Sequence, residues 1–90
     1  MMRIKELHWL EHIADKIEKK HHVIPEEVEE VLKGDIHVRR GAAGTRRAYG
    51  QTVAGRYLFV VFVMEGAKTA RILTARDMTS SERKLYKKSR

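Results

Sequence analysis

The sequence has no cysteine and no long apolar run. Without cysteine the chain has neither a disulfide framework nor a thiolate metal site, and nothing in it indicates an oxidising compartment. No apolar stretch approaches the roughly 20 residues that a membrane-spanning helix needs. The N-terminal stretch MMRIKELHWLEH is too polar for a signal peptide. We therefore expect a cytoplasmic protein.

Acidic residues are also few relative to basic ones. Nineteen Lys and Arg stand against twelve Asp and Glu, a formal net charge of +7. The charge admits a nucleic acid, an anionic membrane surface or an acidic protein as a partner. Hydrophobic residues make up 42% and charged residues 34% of the 90 residues, which is a globular balance. A chain of this length can build one small core, so residues 1–90 are expected to form one domain.

The first half of the chain has a helical period. A first helix is predicted from apolar residues at helical spacing: Trp9, Leu10, Ile13, Ala14 and Ile17. A second, short helix begins near Pro25, which the first helical turn tolerates, and ends near Gly34.

After Gly34 the period changes to two. Four segments read as strands: DIHVRR, TRRAYGQTV, RYLFVVFVM and TARILTAR. The third is apolar on both faces and should be central, and Gly50 in the second suggests a bulge or bend. Because only short loops join these segments, the sheet is predicted to be antiparallel with three or four strands.

A capping box sets the start of the final helix. Thr79 followed by Glu82 predicts a helix over about Ser80–Lys88, with thin apolar anchoring from Met78, Leu85 and Tyr86. The predicted fold class is therefore α+β: two N-terminal helices, an antiparallel sheet of three or four strands and a C-terminal helix.

Several of these segments together resemble a known family. They are KKHHV followed by PEEVEEVL, the hairpin YGQTVAGRYLFVVF with Gly55 and Arg56, and the strand-to-helix stretch ARDMTSSERKLY. Over nearly the whole chain they are similar to the BrnT-type toxins of bacterial toxin–antitoxin pairs, a branch of the RelE-like ribonuclease superfamily. The resemblance implies a RelE-like toxin domain.

The resemblance also implies an activity and a set of partners. Such toxins are cofactor-free endoribonucleases that cut RNA, in some cases on the ribosome, to slow translation. A cognate antitoxin, typically with a ribbon-helix-helix DNA-binding domain, holds them inactive, and the pair represses its own operon. Operator DNA is thus contacted through the antitoxin, and no membrane partner is implied. By position, Arg56, Arg76 and Tyr86 match the basic and tyrosine positions used by related toxins.

RNA cleavage by a ribose 2′-hydroxyl needs a base, positive charge around the phosphate and an acid for the leaving oxygen. No metal is required. Arg56 and Arg76 are candidates for the phosphate, and Tyr86 and Glu82 for proton transfer. Candidate RNA-binding residues lie before the sheet, on it and on the last helix: Lys16, Lys19, Lys20, His21, Arg46, Arg47, Arg83 and Lys87.

Each candidate also has a structural interpretation. Arg56 follows a hairpin glycine and can be a solvated turn residue, Glu82 already serves the capping box, and Tyr86 can be mostly packing. His8 and His12 have the spacing of a metal pair on a helix, but no third ligand follows at a recognisable distance, so no metal site is expected.

Two classes of function therefore stay open. The first is a toxin endoribonuclease neutralised by an antitoxin. The second is a non-catalytic basic module that binds RNA or protein on a RelE-like fold.

Overall fold

A computed structural model describes residues 3–89. In chain order the elements are β1 (Glu6–Trp9), α1 (Ile13–His21), α2 (Pro25–Lys33), β2 (His37–Arg40), a 3₁₀ turn (Ala42–Gly44), β3 (Arg46–Gln51), β4 (Tyr57–Glu65), β5 (Thr69–Asp77) and α3 (Ser80–Lys88). The strand order in the sheet is β1-β5-β4-β3-β2. The α+β class is confirmed, but within the described residues the sheet has five strands rather than three or four. Within residues 3–89, none of the helices has the length and apolar character that a bilayer crossing requires.

The additional strand, β1, takes part of the segment that was predicted as the first helix. It pairs in parallel with β5, with Leu7 opposite Ala70 and Trp9 opposite Ile72. The helix begins only at Ile13, after a turn in which His12 adopts a left-handed backbone with φ of 70°. The spacing of apolar residues here fits a helix as well as a strand. A partner strand far along the chain decides in favour of the strand, and no local pattern reveals that partner.

The parallel pairing corrects the prediction of a purely antiparallel sheet. The other three pairings, β2 with β3, β3 with β4 and β4 with β5, are antiparallel as predicted. Short loops exclude parallel pairing only between strands that follow one another in the chain. Since two helices and three strands separate β1 from β5, that restriction does not apply to them.

The main core lies between the sheet and the two N-terminal helices. One face of β4 contributes four side chains to it, as its alternation predicted: Leu58, Val60, Phe62 and Met64. At Gly50 a Cβ atom would lie 3.0 Å from side-chain atoms of both Val31 and Ile36. The glycine therefore permits close approach of α2 and is regularly paired with Leu58, so the predicted bulge or bend at Gly50 is wrong.

The bulge of this sheet lies on β5 instead. Val61 is paired with Thr74 and the next residue, Phe62, with Ile72, so Leu73 is the extra residue on β5. A bulge bends its strand and turns nearby side chains away from the regular alternation. It occurs where α1 packs along β5.

The last helix, α3, packs on the opposite face of the sheet. Its buried Tyr86 joins Phe59 and Met78 in a second, smaller cluster. The predicted capping box is confirmed: the Thr79 N–H donates to Glu82 Oε1 at 2.8 Å, and the Glu82 N–H donates to Thr79 Oγ1 at 3.2 Å. Leu85, predicted as an anchor, is 53% exposed. The apolar contact of α3 is thus thinner than the sequence suggested.

Candidate active site

A row of four side chains crosses the sheet on the face that carries α3, one from each of four strands. Register pairs His37 with Tyr49, Tyr49 with Phe59, and Phe59 with Arg76. The rings of His37 and Tyr49 are 6.4 Å apart, and those of Tyr49 and Phe59 are 5.2 Å apart. The Arg76 guanidinium lies 4.2 Å from the centre of the Phe59 ring. This His37–Arg76 row places an imidazole and a phenol on the same sheet face as a cation.

The helix α3 closes over this row and leaves a small cavity. The residues that line the α3 cavity are His37, Arg39, Tyr49, Glu82, Leu85, Tyr86 and Ser89. Tyr86 is buried, its ring meets Tyr57 edge-on at 6.0 Å, and its hydroxyl donates to the Asp35 carbonyl at 3.5 Å. Two of the predicted catalytic residues, Glu82 and Tyr86, therefore share one cavity, and Arg76 is bound to the first of them.

Arg76 and Glu82 form a two-pronged ion pair. The Arg76 Nη1 and Nη2 groups donate to the two carboxylate oxygens at 2.8 and 3.0 Å, and Nη1 also donates to the Asp77 carbonyl at 3.0 Å. The hydrogen bonds from Arg76 hold the pKa of Glu82 below its ordinary value. Glu82 is thus a carboxylate at neutral pH, suited to holding Arg76 and capping α3 and unable to donate a proton.

Arg56 lies outside this cavity and is fully engaged. Its Nε and Nη2 groups donate to the two Asp77 carboxylate oxygens at 2.8 and 3.0 Å. Its Nη1 group donates to the His22 carbonyl at 2.7 Å and to Glu27 at 3.1 Å, and Nη2 donates to the His21 carbonyl at 3.1 Å. The bonds to Asp77, assisted by Glu27, raise the pKa of Arg56 above its ordinary value. Arg56 thus fastens the loop between α1 and α2 to the end of β5.

Arg56 and Arg76 differ in how many of their N–H donors have no protein acceptor. A guanidinium has five N–H donors. At Arg56 all five are used by the contacts just described. At Arg76 three are used, so Nε–H and one Nη2–H have no partner within residues 3–89. Of these two arginines, Arg76 is the one that can bind a phosphate oxygen without first breaking a hydrogen bond to the protein.

The predicted RNA-binding residues fall into separate places. Lys16, Lys20 and His21 line a cleft between α1 and β5. Lys19 is exposed on α1 outside that cleft.

On the other side of the sheet, Arg83 and Lys87 lie against the Tyr57 ring at 4.3 and 5.4 Å. Arg47 is exposed on β3 between Arg39 and Val61. Arg46 is half-buried opposite Phe62. The predicted RNA-binding residues are therefore divided between the two sides of the sheet.

His37 and Arg39 were not identified from the sequence. The Arg39 Nε group donates to His37 Nε2 at 3.5 Å, so the pair forms one wall of the α3 cavity. A signal was present in DIHVRR, because alternation along a strand places residues 37 and 39 on one face. The local sequence does not show that β3 and α3 lie beside that face and complete a cavity there.

His8 and His12 do not form the pair that a helix would have made. His8 lies on β1 and contacts Glu65 at 2.7 Å, whereas His12 lies in the following turn. Within residues 3–89 no group of three His, Cys, Asp or Glu side chains is arranged to hold a metal ion.

Comparison with known proteins adds a likeness to solved structures. No protein-family model and no curated protein sequence matches the chain. Among solved structures, the chain is similar to the ribonuclease toxin BrnT of Brucella abortus, determined by crystallography at 1.1 Å. The likeness has a TM-score of 0.69 and 20% sequence identity, and it covers 89% of this chain and 100% of that one. The resemblance seen in the sequence is confirmed at the level of the fold, and this chain has the fold of a BrnT-type toxin.

Proposed function

We propose that this protein is the toxin of a toxin–antitoxin pair and acts in the cytoplasm as an endoribonuclease. The observation that carries the proposal is Arg76, a cation with two spare N–H donors beside the α3 cavity. The likeness to a protein described as a ribonuclease toxin supports it, as does the net charge of +7, which attracts RNA.

The proposed reaction is an in-line attack of a ribose 2′-oxygen on the adjacent phosphorus. The new bond joins the 2′-oxygen to phosphorus, the bond from phosphorus to the 5′-oxygen breaks, and the products end in a 2′,3′-cyclic phosphate and a 5′-hydroxyl. Arg76 would donate its two spare N–H groups to the phosphate oxygens, where negative charge grows in the transition state. The proposed mechanism uses no metal ion and no cofactor.

Proton transfer is assigned to the walls of the α3 cavity. Histidine both accepts and donates protons near neutral pH, so His37 is suited to the base or the acid step. Tyr86, a candidate for proton transfer on the basis of the sequence, has its hydroxyl near the Asp35 carbonyl at the same cavity. We assign Glu82 a positioning role, because its carboxylate orients Arg76 by two hydrogen bonds.

Arg56, predicted to touch the phosphate, is proposed to act through the structure around it. With all of its donors occupied, it keeps the α1–α2 loop against the end of β5, next to Arg76. Its loss would disturb activity by moving that loop rather than by removing a phosphate contact.

The proton carriers are tested by two conservative substitutions. Tyr86→Phe keeps the buried ring and removes the hydroxyl, and His37→Gln keeps a polar side chain of similar size. Either change should lower the cleavage rate by about 10²-fold or more if that residue transfers a proton, with unchanged thermal stability. Tyr57→Phe is the control, since its ring joins the α3 cluster but does not line the cavity. Full activity in both substituted proteins would remove proton transfer from these residues.

The function itself is tested in cells. Expression of the chain alone should arrest bacterial growth and truncate transcripts. Co-expression of the neighbouring gene product, which we propose is a ribbon-helix-helix antitoxin that carries the pair to operator DNA, should restore growth. Cleavage on the ribosome and on free RNA is to be compared in extracts with and without ribosomes. Harmless expression in several bacterial hosts, with intact RNA in both extracts, would refute the enzymatic proposal.

The second candidate is a non-catalytic module that binds RNA or protein through its basic surface. It is favoured by the engagement of Arg56 and Arg76 with carboxylates, which leaves fewer free cations than the sequence offers. RNA binding without cleavage by the purified protein would support this candidate.

A further inference from the structure

A second concave site lies between α1 and the outer edge of β5, apart from the α3 cavity. The residues lining this α1–β5 cleft are Ile13, Lys16, Ile17, Lys20, His21, Leu73 and Thr74. Three of these residues are apolar, two are lysines and one is a histidine. None of these residues lines the α3 cavity.

The topology of the sheet creates this cleft. The strand β1 pairs with β5 only over residues 69–72, so the second half of β5 is an edge on that side within residues 3–89. At the point where β1 ends, the bulge at Leu73 interrupts the pairing of β5 with β4. The bulge residue Leu73 has no partner on β4 and lines the cleft beside α1, together with Thr74, where the pairing with β4 resumes at Val61.

The cleft carries positive charge that the described protein does not neutralise. Lys16 and Lys20 are one helical turn apart, so they lie on the same side of α1. Neither forms an ion pair within residues 3–89, and no carboxylate lines the cleft. An anion placed there would meet two cations and no opposing acid.

The far wall of the cleft is held in place by the Arg56 network. Arg56 donates to the carbonyls of His21 and His22, and His22 takes a left-handed backbone with φ of 56° that ends α1. His21 is therefore presented by a loop whose backbone is fixed by charged hydrogen bonds. A site with a fixed wall binds a ligand at a lower entropic cost than a mobile loop does.

The cleft and the candidate active site meet at β5. Thr74 and Arg76 are two residues apart on one strand, and their register partners Val61 and Phe59 both belong to the face that carries α3. A strand of nucleic acid leaving Arg76 across the edge of β5 would arrive at Lys16 and Lys20.

We propose that the α1–β5 cleft is a subsite for a backbone phosphate of single-stranded RNA, next to the phosphate that is cleaved at Arg76. The proposal rests on the proposed ribonuclease function and names where its substrate continues. Lys16 and Lys20 supply the charge, and His21 supplies a hydrogen-bonding side chain at the cleft.

The test measures how binding depends on salt. The probe is a fluorescent 2′-O-methyl oligoribonucleotide, which has no free 2′-hydroxyl and cannot be cleaved by the proposed reaction. For single strands, the slope of log K against log salt changes by about 0.7 for each phosphate contact. Because the proposed subsite holds one phosphate, Lys16→Gln/Lys20→Gln should reduce the magnitude of the slope by about 0.7.

A matched control removes two neighbouring lysines elsewhere. Lys5 and Lys68 are adjacent at the other end of the sheet, joined by a backbone hydrogen bond of 2.8 Å, and both are exposed. Lys5→Gln/Lys68→Gln removes the same charge and should keep the wild-type slope. Thermal denaturation should show that both proteins remain folded.

The subsite is refuted if the cleft variant keeps the wild-type slope, if both variants lose slope equally, or if the wild type does not bind the probe. Loss of antitoxin binding with an unchanged slope would assign the cleft to a protein partner and would also overturn the proposal. Because the probe is not cleaved, a change of slope confined to the cleft variant supports the subsite even where separate assays show no cleavage. A slope change confined to the cleft variant, together with no cleavage, would refute the proposed enzymatic activity and still support the phosphate subsite.

Discussion

At the scale of single residues, two arginines with the same predicted role have different surroundings. Arg56 makes contacts with carboxylates that lie 29 and 21 positions away in the chain. Nothing near Arg56 in the sequence reveals these contacts. The resemblance therefore indicated that Arg56 occupies a basic position used by related toxins, but it did not indicate which residues surround Arg56. Arg76 is paired with Glu82 only six positions away, across the strand-to-helix junction. The contacts therefore differ in kind: those of Arg56 join distant parts of the fold, whereas those of Arg76 leave donors available for a phosphate.

The first prediction concerns the stability contributed by Arg56. Its side chain is 27% exposed, and its removal leaves Glu27 and Asp77 without their cation. Arg56→Ala should lower the free energy of unfolding by about 2 kcal/mol, the size expected for losing hydrogen bonds between charged groups. For a domain of this size the melting temperature should fall by on the order of 10 °C.

Arg39→Ala is the control for that measurement. The Arg39 side chain is exposed on β2 and makes one long contact with His37, so its unfolding free energy should stay within about 0.5 kcal/mol of the wild type. Equal stability of the Arg56→Ala protein and the wild type would show that the Arg56 network contributes nothing to folding.

The second prediction concerns acid stability. The hydrogen bonds from Arg56 lower the pKa of Asp77 below its ordinary 3.8, and those from Arg76 lower the pKa of Glu82 below its ordinary 4.5. As pH falls through these values, the unfolded chain binds protons before the folded one does. The stabilisation from both carboxylates is therefore complete above about pH 4.5 and is lost as pH falls through the lower folded values.

Urea unfolding between pH 6 and pH 2.5 measures this effect. The wild type should lose stability steeply below about pH 4.5, and Asp77→Asn/Glu82→Gln should start less stable and decline less steeply. Parallel curves for the two proteins would mean that other groups control acid unfolding.

At the scale of elements, sequence patterns predicted the helices and strands that depend on neighbouring residues. The capping box of Thr79 and Glu82 predicted α3 from Ser80 to Lys88, and the alternation in β4 predicted both of its faces. The strand Glu6–Trp9 was not predicted, and its residue Trp9 was wrongly placed in the first helix, because the pairing with β5 depends on residues at the other end of the chain. Distant pairing also explains why the sequence did not identify His37 as a residue that lines the α3 cavity.

The third prediction concerns the stability of α3. Its only buried side chain is Tyr86, Glu82 is half-buried, and four of the seven exposed residues are cations. With so little apolar burial it should open more often than β4, which is buried on both faces. Amide hydrogen exchange should therefore be faster from 80 to 88 than from 57 to 65.

Exchange in a complex with the proposed antitoxin extends this measurement. An acidic antitoxin segment should either cover the α3 cavity or displace α3, and in both cases exchange from 79 to 89 should change markedly. Unchanged exchange there, with strong new protection elsewhere, would place the inhibitory contact on another surface.

At the scale of the whole molecule, the composition predicted an anionic partner and the resemblance predicted the fold. The net charge of +7 is distributed over both sides of the sheet, with one basic group at the α1–β5 cleft and another on α3. What the sequence could not supply is the α3 cavity itself, since it assembles residues from β2, β3 and α3. We propose that RNA is cleaved at Arg76, beside this cavity.

The most direct test is the chemistry of the RNA ends made by purified protein in the presence of EDTA. The wild type should release fragments with a 2′,3′-cyclic phosphate and a 5′-hydroxyl, identified by mass spectrometry. Arg76→Ala should lower the rate by about 10²-fold or more, as expected for losing one preorganised contact to the transition state. Lys33→Ala, which removes an exposed cation from α2, should cleave like the wild type. Intact RNA with the wild type, or equal cleavage by the folded Arg76→Ala protein, would contradict the proposed active site.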